Sequence, residues 1–357
     1  MFFYSVRAGI LWSATQGNFI GLLTITDFIR VILDQWDKLT PEQKSANSIQ
    51  SHAWLSAIEE QTLEEWRATK SASSCVRMRP QQFTWISATD NIQTALETFS
   101  AKHIHRLPVI DPETGNVVSV LSHKRILKFF HMCLHSIFVS AGMTSGKADL
   151  TKEKSGSRST SPSNQSSLPS FNHLTSGSLL SRKLSELNVG TYGDNVLTCH
   201  LEEMTADVLR KMVDAKVSAL PVVEQDTGKI INVYARFDAI FLAADGSYAN
   251  LGSPLSKAIS KRPNRNLHTN VLTCSPDEPL GVVIDRFVSE QVHRLICIDS
   301  AGCPTGVVSL SDVLRCLAGL HNPPRPLLLL PSISADGSKM RQHGQQTEEP
   351  ASAEEAV

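Results

Sequence analysis

The sequence lacks the paired cysteines and the long apolar runs that mark several large classes of protein. None of its seven cysteines forms a CxxC pair, so we expect neither a structural metal site nor a disulfide framework. Reduced thiols suit a cytoplasmic and nuclear protein, which is the location we expect. No apolar run is long enough to cross a bilayer, and we therefore expect no association with membranes.

The chain also has little net charge and none of the common catalytic motifs. Its formal charge of -1 over 357 residues argues against a nucleic-acid partner held by bulk charge. A glycine-rich phosphate loop, the HExxH and GxSxG patterns and the protein-kinase motifs are all missing. The sequence therefore predicts a protein that is not an enzyme. Because the net charge is so small, any site for an anion would have to be formed by a few basic residues placed close together.

One pattern occurs four times along the chain. A short β-branched strand leads through a polar turn to a second apolar strand, and a helix with apolar positions at helical spacing follows. The first strands are "VRAGILW", "HRLPVID", "SALPVVE" and "HRLICID", at 6–12, 105–111, 218–224 and 293–299. A further amphipathic helix precedes copies two to four, whereas copy one begins almost at its first strand and is expected to be truncated at its N-terminus.

The repeat predicts an α/β fold built from four β-β-α-type units, with polar segments between some of them. Residues 140–181 are rich in Ser and Lys and are expected to be disordered, as is the tail, because such sequences bury little apolar surface. The expected boundaries are 1–35 for repeat 1, 36–75 for a linker with a helix, 76–139 for repeat 2, 140–181 for the insert, 182–250 for repeat 3, 251–321 for repeat 4, and 322–357 for the tail.

Several motifs in this order resemble a known family. "HRLPVID", "HKRILKF", "GTY", "SALPVV" and "VSLSDVL" together resemble the regulatory gamma subunit of AMP-activated protein kinase, which consists of four cystathionine-β-synthase (CBS) repeats. The resemblance implies two tandem pairs of CBS repeats in a disc. It also implies competitive binding of AMP, ADP and ATP as ligands, no cofactor, and a heterotrimer with a catalytic alpha subunit and a scaffold beta subunit.

Residue types at equivalent positions agree with adenine-nucleotide binding. Asp27, Asp238 and Asp312 stand at helix starts, where a carboxylate can accept hydrogen bonds from both ribose hydroxyls. Copy two has Arg125 there, a donor without acceptor capacity, so we expect copy two to hold no ribose of its own. Its basic residues would then bind phosphates of ligands in neighbouring copies.

The resemblance carries further ligand roles to matching positions. The implied phosphate ligands are Arg7, His105, Arg106, Lys124, Arg262, His293 and Arg294. The implied supports for base or phosphate are Thr24, Thr84, Thr191, Val196, Ser218, Ala219, Leu272, Ser309, Leu310 and Ser311.

Simpler interpretations stay open for these residues. The three aspartates could be ordinary helix caps, the histidines could be buried core residues, and the "HKR" cluster could be a solvated basic face. CBS repeats also regulate other proteins, so the alternative function is a regulator of another nucleotide-controlled enzyme or transporter. A truncated first copy would also expose a strand edge and weaken the site around Arg7 and Asp27.

Overall fold

The four sequence repeats appear as four β-hairpins, each followed by a helix, in a computed structural model. All the described residues lie in the unit Met1–Arg325. The structure describes residues 8–45, 60, 62, 65, 83–140, 178–193, 196–244, 251–262 and 271–320.

Copies one and two follow the predicted order of strands and helices. Copy one consists of β1 (Ala8–Ser13), β2 (Asn18–Thr24), α1 (Ile25–Asp37) and α2 (Pro41–Ser45). Copy two consists of β3 (Ile86–Ser87), α3 (Ile92–Lys102), β4 (Arg106–Ile110), β5 (Val117–Ser122) and α4 (His123–Ser140).

Copies three and four repeat this order with additional short elements. Copy three consists of α5 (Ser178–Ser181), β6 (Thr191–Tyr192), α6 (Thr205–Asp214), β7 (Ala219–Val223), β8 (Ile230–Ala235), a 3-10 helix (Arg236–Ala239) and α7 (Ile240–Ala244). Copy four consists of α8 (Leu255–Ser260), β9 (Thr273–Cys274), α9 (Leu280–Ser289), β10 (Arg294–Ile298), β11 (Pro304–Ser309) and α10 (Leu310–Leu317).

The four hairpins share one register irregularity. Each is antiparallel and shifts register near the end of its first strand, at Leu11/Trp12, Val109/Ile110, Val222/Val223 and Cys297/Ile298. A β-bulge of this kind bends and twists a strand pair, so the hairpins share a shape as well as a sequence pattern. In copies two and four a two-residue parallel strand, β3 or β9, pairs with the first hairpin strand.

The helices build two cores, and each core joins copies that are not adjacent in the sequence. One contains Leu96, Phe99, Leu107 and Phe130 of copy two with Phe287 and other residues of copy four. The second packs α1 of copy one against copy three. The two halves of the chain are therefore held together through their helices.

Helix α1 shows how sequence periodicity produces this packing. Its buried residues Ile29, Ile32, Leu33 and Trp36 recur every three or four positions and so lie on one face. That face packs against Leu209, Met212 and other residues of copy three. Each fully buried side chain of this size contributes about 1.5–3 kcal/mol relative to exposure.

Tandem copies three and four also meet through their hairpins. β6, which leads into copy three, pairs with the outer edge of β11 in copy four, giving the strand order β6-β11-β10-β9. Gly306 allows this approach, because a Cβ on it would lie 2.7 Å from the Thr191 carbonyl oxygen. The Ile230 amide also donates to the Gly302 carbonyl oxygen at 3.0 Å.

The structure differs from two expectations about segments. The prediction that residues 140–181 are disordered is wrong for the last four of them. Ser178–Ser181 forms a helical turn, and Leu179 and Leu180 pack against a core. Copy three begins its second helix as a 3-10 turn instead of a continuous α-helix. The tail and most of the linker lie outside the described residues.

Candidate functional site

Strand register defines which positions are equivalent among the copies. The first hairpin residue lies opposite the helix cap in the pairs Ala8 with Thr24, Arg106 with Ser122, Ala219 with Ala235, and Arg294 with Ser309. Ala8 therefore holds in copy one the position that Arg106 holds in copy two. Arg7 therefore corresponds to His105, and it lies itself outside the described residues.

Asp27 and Asp312 both use one carboxylate oxygen to cap their own helices. Oδ2 of Asp27 accepts from the backbone N–H and the hydroxyl of Thr24 at 2.9 and 3.0 Å. Oδ2 of Asp312 accepts the same pair from Ser309 at 2.9 and 2.7 Å. The cap interpretation is therefore correct for Oδ2 in both copies. Oδ1 of Asp312 receives no hydrogen bond from the described residues, so a ribose hydroxyl could donate to it.

Asp238 has an additional, charged partner. Arg262 places Nη2 2.8 Å from Oδ2 of Asp238, and the two side chains are only 1% and 8% exposed. The Arg262 guanidinium also donates to Asn232 Oδ1 and lies 5.1 Å from the ring centroid of Tyr234. Arg262 is a predicted phosphate ligand, but the structure shows it in an ion pair with Asp238, the predicted ribose ligand of copy three.

Arg125 fills the equivalent position in copy two and turns back onto its own hairpin. Its Nη1 donates to Ser119 Oγ at 3.1 Å and to the Val120 carbonyl oxygen at 2.9 Å. Copy two therefore has no carboxylate at this helix start. Lys124, the preceding residue, instead reaches copy four and donates to the Gln291 carbonyl oxygen at 2.8 Å.

Arg294 makes a direct link between copies four and three. Its Nη2 donates to Ser218 Oγ at 2.6 Å. Burial lowers the pKa of Arg294 to about 10, and the charge of Asp238 nearby opposes this shift. A basic residue of copy four is thus bonded to a serine of copy three, and the charge of a carboxylate of copy three acts on it.

A histidine cluster occupies the contact between copies two and four. His123 is buried, and its Nδ1 lies 3.4 Å from His105 Nδ1 and 3.2 Å from Ser311 Oγ. Burial lowers the pKa of His123 to about 3, and the nearby His105, His293 and Arg315 add to the shift. His123 is therefore neutral at pH 7, and the positive charge of this cluster comes from its neighbours.

The cluster predicts that the protein loses stability below pH 6.5. His123 has an ordinary pKa of 6.5 when unfolded and about 3 when folded, so the unfolded chain binds the extra proton as the pH falls. We expect this one group to cost about 1.4 kcal/mol of unfolding free energy between pH 7.5 and 5.5. Urea titrations at both pH values, on wild type and His123→Gln, measure this difference. An identical pH dependence in the variant would contradict the assignment.

The remaining predicted supports fall into three groups. Thr24 and Ser309 cap helices, and Ser311 Oγ contacts His123. Leu310 is only 3% exposed and belongs to a core. The others are partly buried, on short strands or in irregular segments: Thr84, Thr191, Val196, Ala219 and Leu272.

Sequence reasoning missed two residues that the structure places in these clusters. Arg315 is buried and donates through Nε to Ser100 Oγ at 3.0 Å. Burial lowers the pKa of the Arg236 guanidinium, and the charges of Arg30 and Arg294 add to the shift. Arg236 is the first residue after a helix cap, where the other copies have Ile25, His123 and Leu310, so the repeat gave no signal for an arginine there.

The described residues contain no group of three or more His, Cys, Asp or Glu that could hold a metal ion. Within the same residues, none of the helices is long and apolar enough to cross a membrane.

Comparison with known proteins identifies the family. The model of the CBS domain family matches residues 74–132, 189–245 and 265–319, in the second, third and fourth copies. The human gamma-3 subunit of 5'-AMP-activated protein kinase is 36% identical over 315 residues, which are 87% of this chain and 52% of that relative. The chain thus matches the CBS domain family in three of its copies and is similar to gamma subunits of AMP-activated protein kinase. The prediction made from the repeat motifs is confirmed.

Other gamma-family relatives match over the same extent. The gamma-3 subunits of Bos taurus and Sus scrofa are 35% and 36% identical over 87% of this chain and 51% and 49% of their own lengths. The chain thus spans about half the length of these gamma-3 subunits.

A solved structure supports the fold. The crystal structure of an archaeal homologue of the kinase gamma subunit, from Methanocaldococcus jannaschii, has a TM-score of 0.51 and 15% identity, and the match covers 87% of both chains. Together with the family match, this likeness confirms the predicted α/β fold of CBS repeats.

Proposed function

We propose that the chain is a non-catalytic regulatory subunit of AMP-activated protein kinase. In this proposal it binds AMP, ADP and ATP competitively and controls a Ser/Thr kinase according to cellular energy state. Its partners are a catalytic alpha subunit and a scaffold beta subunit, and its location is cytoplasmic and nuclear. The relatives named above are gamma-3 subunits of this kinase, which supports the proposal.

The observation that carries the proposal is the bond from Arg294 of copy four to Ser218 of copy three. AMP, ADP and ATP share the same ribose and differ in the number of phosphates. A site that binds all three and tells them apart therefore needs one group for the ribose and another for the phosphates. Asp238 supplies a carboxylate for the ribose, and Arg294 supplies a cation close to it for phosphate. Asp27 and Asp312 provide the same carboxylate in copies one and four.

Calorimetric titration of the purified chain tests the proposal. We expect AMP, ADP and ATP each to bind and to displace one another, and we expect no turnover of ATP. Sustained hydrolysis of ATP that is abolished by a substitution within the repeats would contradict a regulatory role.

The partner assignment needs a second measurement. We expect purification from native cells to recover a Ser/Thr kinase subunit and a scaffold subunit. Recovery of a different nucleotide-controlled enzyme or a transporter would favour the alternative regulatory function and would reject the kinase assignment.

A further inference from the structure

Two buried thiols lie side by side in copy four. Cys274 of β9 and Cys297 of β10 are register partners in the parallel strand pair, and their Sγ atoms are 3.4 Å apart. Both are free cysteines, and the two residues are only 4% and 0% exposed. Neither belongs to the residues that the proposed function uses, so the pair needs an explanation of its own.

The repeat shows that packing does not require two thiols at this position. The register shift of each hairpin identifies Val109, Val222 and Cys297 as equivalent residues. The partner on the parallel side is Ile86 in copy two, whereas in copy three it is Cys199. Copies two and three therefore have an aliphatic residue on the hairpin side, and of these three copies only copy four has sulfur on both sides.

The strand pairing holds the two residues at a distance that a disulfide can span. Paired strands lie about 4.7–4.9 Å apart, within the roughly 4.4–6.8 Å between Cα atoms that disulfides bridge. A disulfide bond is about 2.05 Å long, so the sulfurs need to approach each other by about 1.4 Å from their present 3.4 Å. Rotation of the side chains can provide this approach while β9 and β10 stay paired.

The closed structure protects the pair from oxidation. The hydrogen bond between the two thiols raises the pKa of Cys274, and burial raises it further. Because the thiolate is the form that attacks an oxidant, Cys274 reacts slowly while β9 stays in place. Oxidation therefore depends on a local opening that exposes Cys274 to solvent.

Strand β9 is suited to such an opening. It has two residues and stands at the end of the described sheet, with β10 as its neighbour. The bonds of this segment include one from the Ile296 amide to the Leu272 carbonyl oxygen at 3.2 Å and one from Arg286 Nη1 to the Thr273 carbonyl oxygen at 2.6 Å. A short edge segment opens at a lower cost in free energy than the whole fold.

We propose that Cys274 and Cys297 form an oxidation site at which a hydroperoxide closes a disulfide between β9 and β10. When β9 opens, the Cys274 thiolate attacks a peroxide oxygen and becomes a sulfenic acid, and the departing hydroxide takes up the proton of the thiol as water. When β9 closes, the Cys297 thiol displaces the sulfenic oxygen as a second water. The two thiols lose two electrons and two protons, which convert hydrogen peroxide to two waters. No nucleotide takes part, so the inference is independent of the proposed function.

Peptide mapping by mass spectrometry tests the site on the full chain. After treatment with hydrogen peroxide and blocking of the remaining thiols, we expect a linked pair of peptides that contains Cys274 and Cys297 and is lost on addition of dithiothreitol. Cys199 is the internal control, because it is also buried but faces Val222, and it should remain an unlinked thiol. Val222→Cys should create a corresponding linked pair in copy three.

Two variants separate the disulfide from other effects of peroxide. Cys297→Val gives copy four the residue that copies two and three have, so it should fold and form no linked pair. Oxidised wild type should melt about 5–10 °C above the reduced protein, because the new link closes a loop in the unfolded chain, and Cys297→Val should show no such rise. Arg286→Gln removes a bond that anchors β9, so the linked pair should form about threefold to tenfold faster.

Several results would overturn the oxidation site. They are the absence of a link between Cys274 and Cys297 after prolonged exposure to peroxide, oxidation of Cys274 to a sulfinic acid in place of the disulfide, and an equal rise in melting temperature in Cys297→Val. An unchanged rate in Arg286→Gln would exclude the opening of β9 as the route. If Cys297→Val does not fold, the linked peptides of wild type and their loss on reduction decide the outcome alone.

Discussion

Replacing Asp238 with Ala should lower the free energy of unfolding by about 3–5 kcal/mol. The substitution leaves the Arg262 guanidinium, which is 1% exposed, without its carboxylate, and an unpaired buried charge is among the most destabilising changes in a protein. It also removes the hydrogen bond that the Ala235 amide donates to the Asp238 carboxylate. Urea denaturation of the purified chain measures the loss.

The repeat supplies its own control for this prediction. Asp312→Ala removes a helix cap of the same kind but no ion pair among the described residues, so we expect a loss of only about 0.5–2 kcal/mol. Adding Arg262→Met to Asp238→Ala should recover a large part of the stability, because both charges are then absent. Equal losses for Asp238→Ala and Asp312→Ala would show that the buried pair contributes little.

Replacing Arg294 with Gln should weaken ATP binding by about tenfold to a hundredfold and AMP binding by less. The change removes a charge-assisted hydrogen bond of roughly 1.5–3 kcal/mol, and a ligand with more phosphate charge depends on that bond more strongly. Because Arg294 starts the hairpin of copy four and contacts Ser218 of copy three, more than one binding event should be impaired. Calorimetric titration of AMP and ATP measures both effects.

Asp312→Ala is the matched variant for ribose recognition. The ribose is common to AMP, ADP and ATP, so this variant should weaken all three alike and at one site only. If Arg294→Gln also weakens AMP and ATP equally and at a single site, Arg294 is not shared between sites and the copies do not communicate through it.

The sequence predicted the hairpins and their helices because local rules determine them. The segment "HRLPVID" has the apolar pattern of a strand, and "PLGVVIDRFV" has that of a helix with one buried face. Such a pattern can be recognised from a few consecutive residues. The alignment of the four copies also predicted that Asp27, Arg125, Asp238 and Asp312 stand at equivalent helix starts.

Contacts between distant parts of the chain could not be predicted in this way. The parallel strands β3 and β9 have two residues each, too few for any periodicity. Arg262 follows the short helix α8 and reaches Asp238 across a separation that no repeat spacing describes. Arg236 stands at a position whose residue type differs in every copy, so only the packing of copy three against copy one and copy four reveals its charged neighbours.

The packing of helices from both halves into two shared cores has a consequence for how the chain can fold and evolve. Each half contributes one side of both cores, so neither half has a complete hydrophobic interior of its own. Arrays whose repeats contact only their sequence neighbours can gain or lose a unit at small cost. Here a lost copy would expose the core face of a copy far away in the sequence, so the number of copies is constrained. Long loops must also close before either core forms, which makes folding slower than in a linear array of the same size.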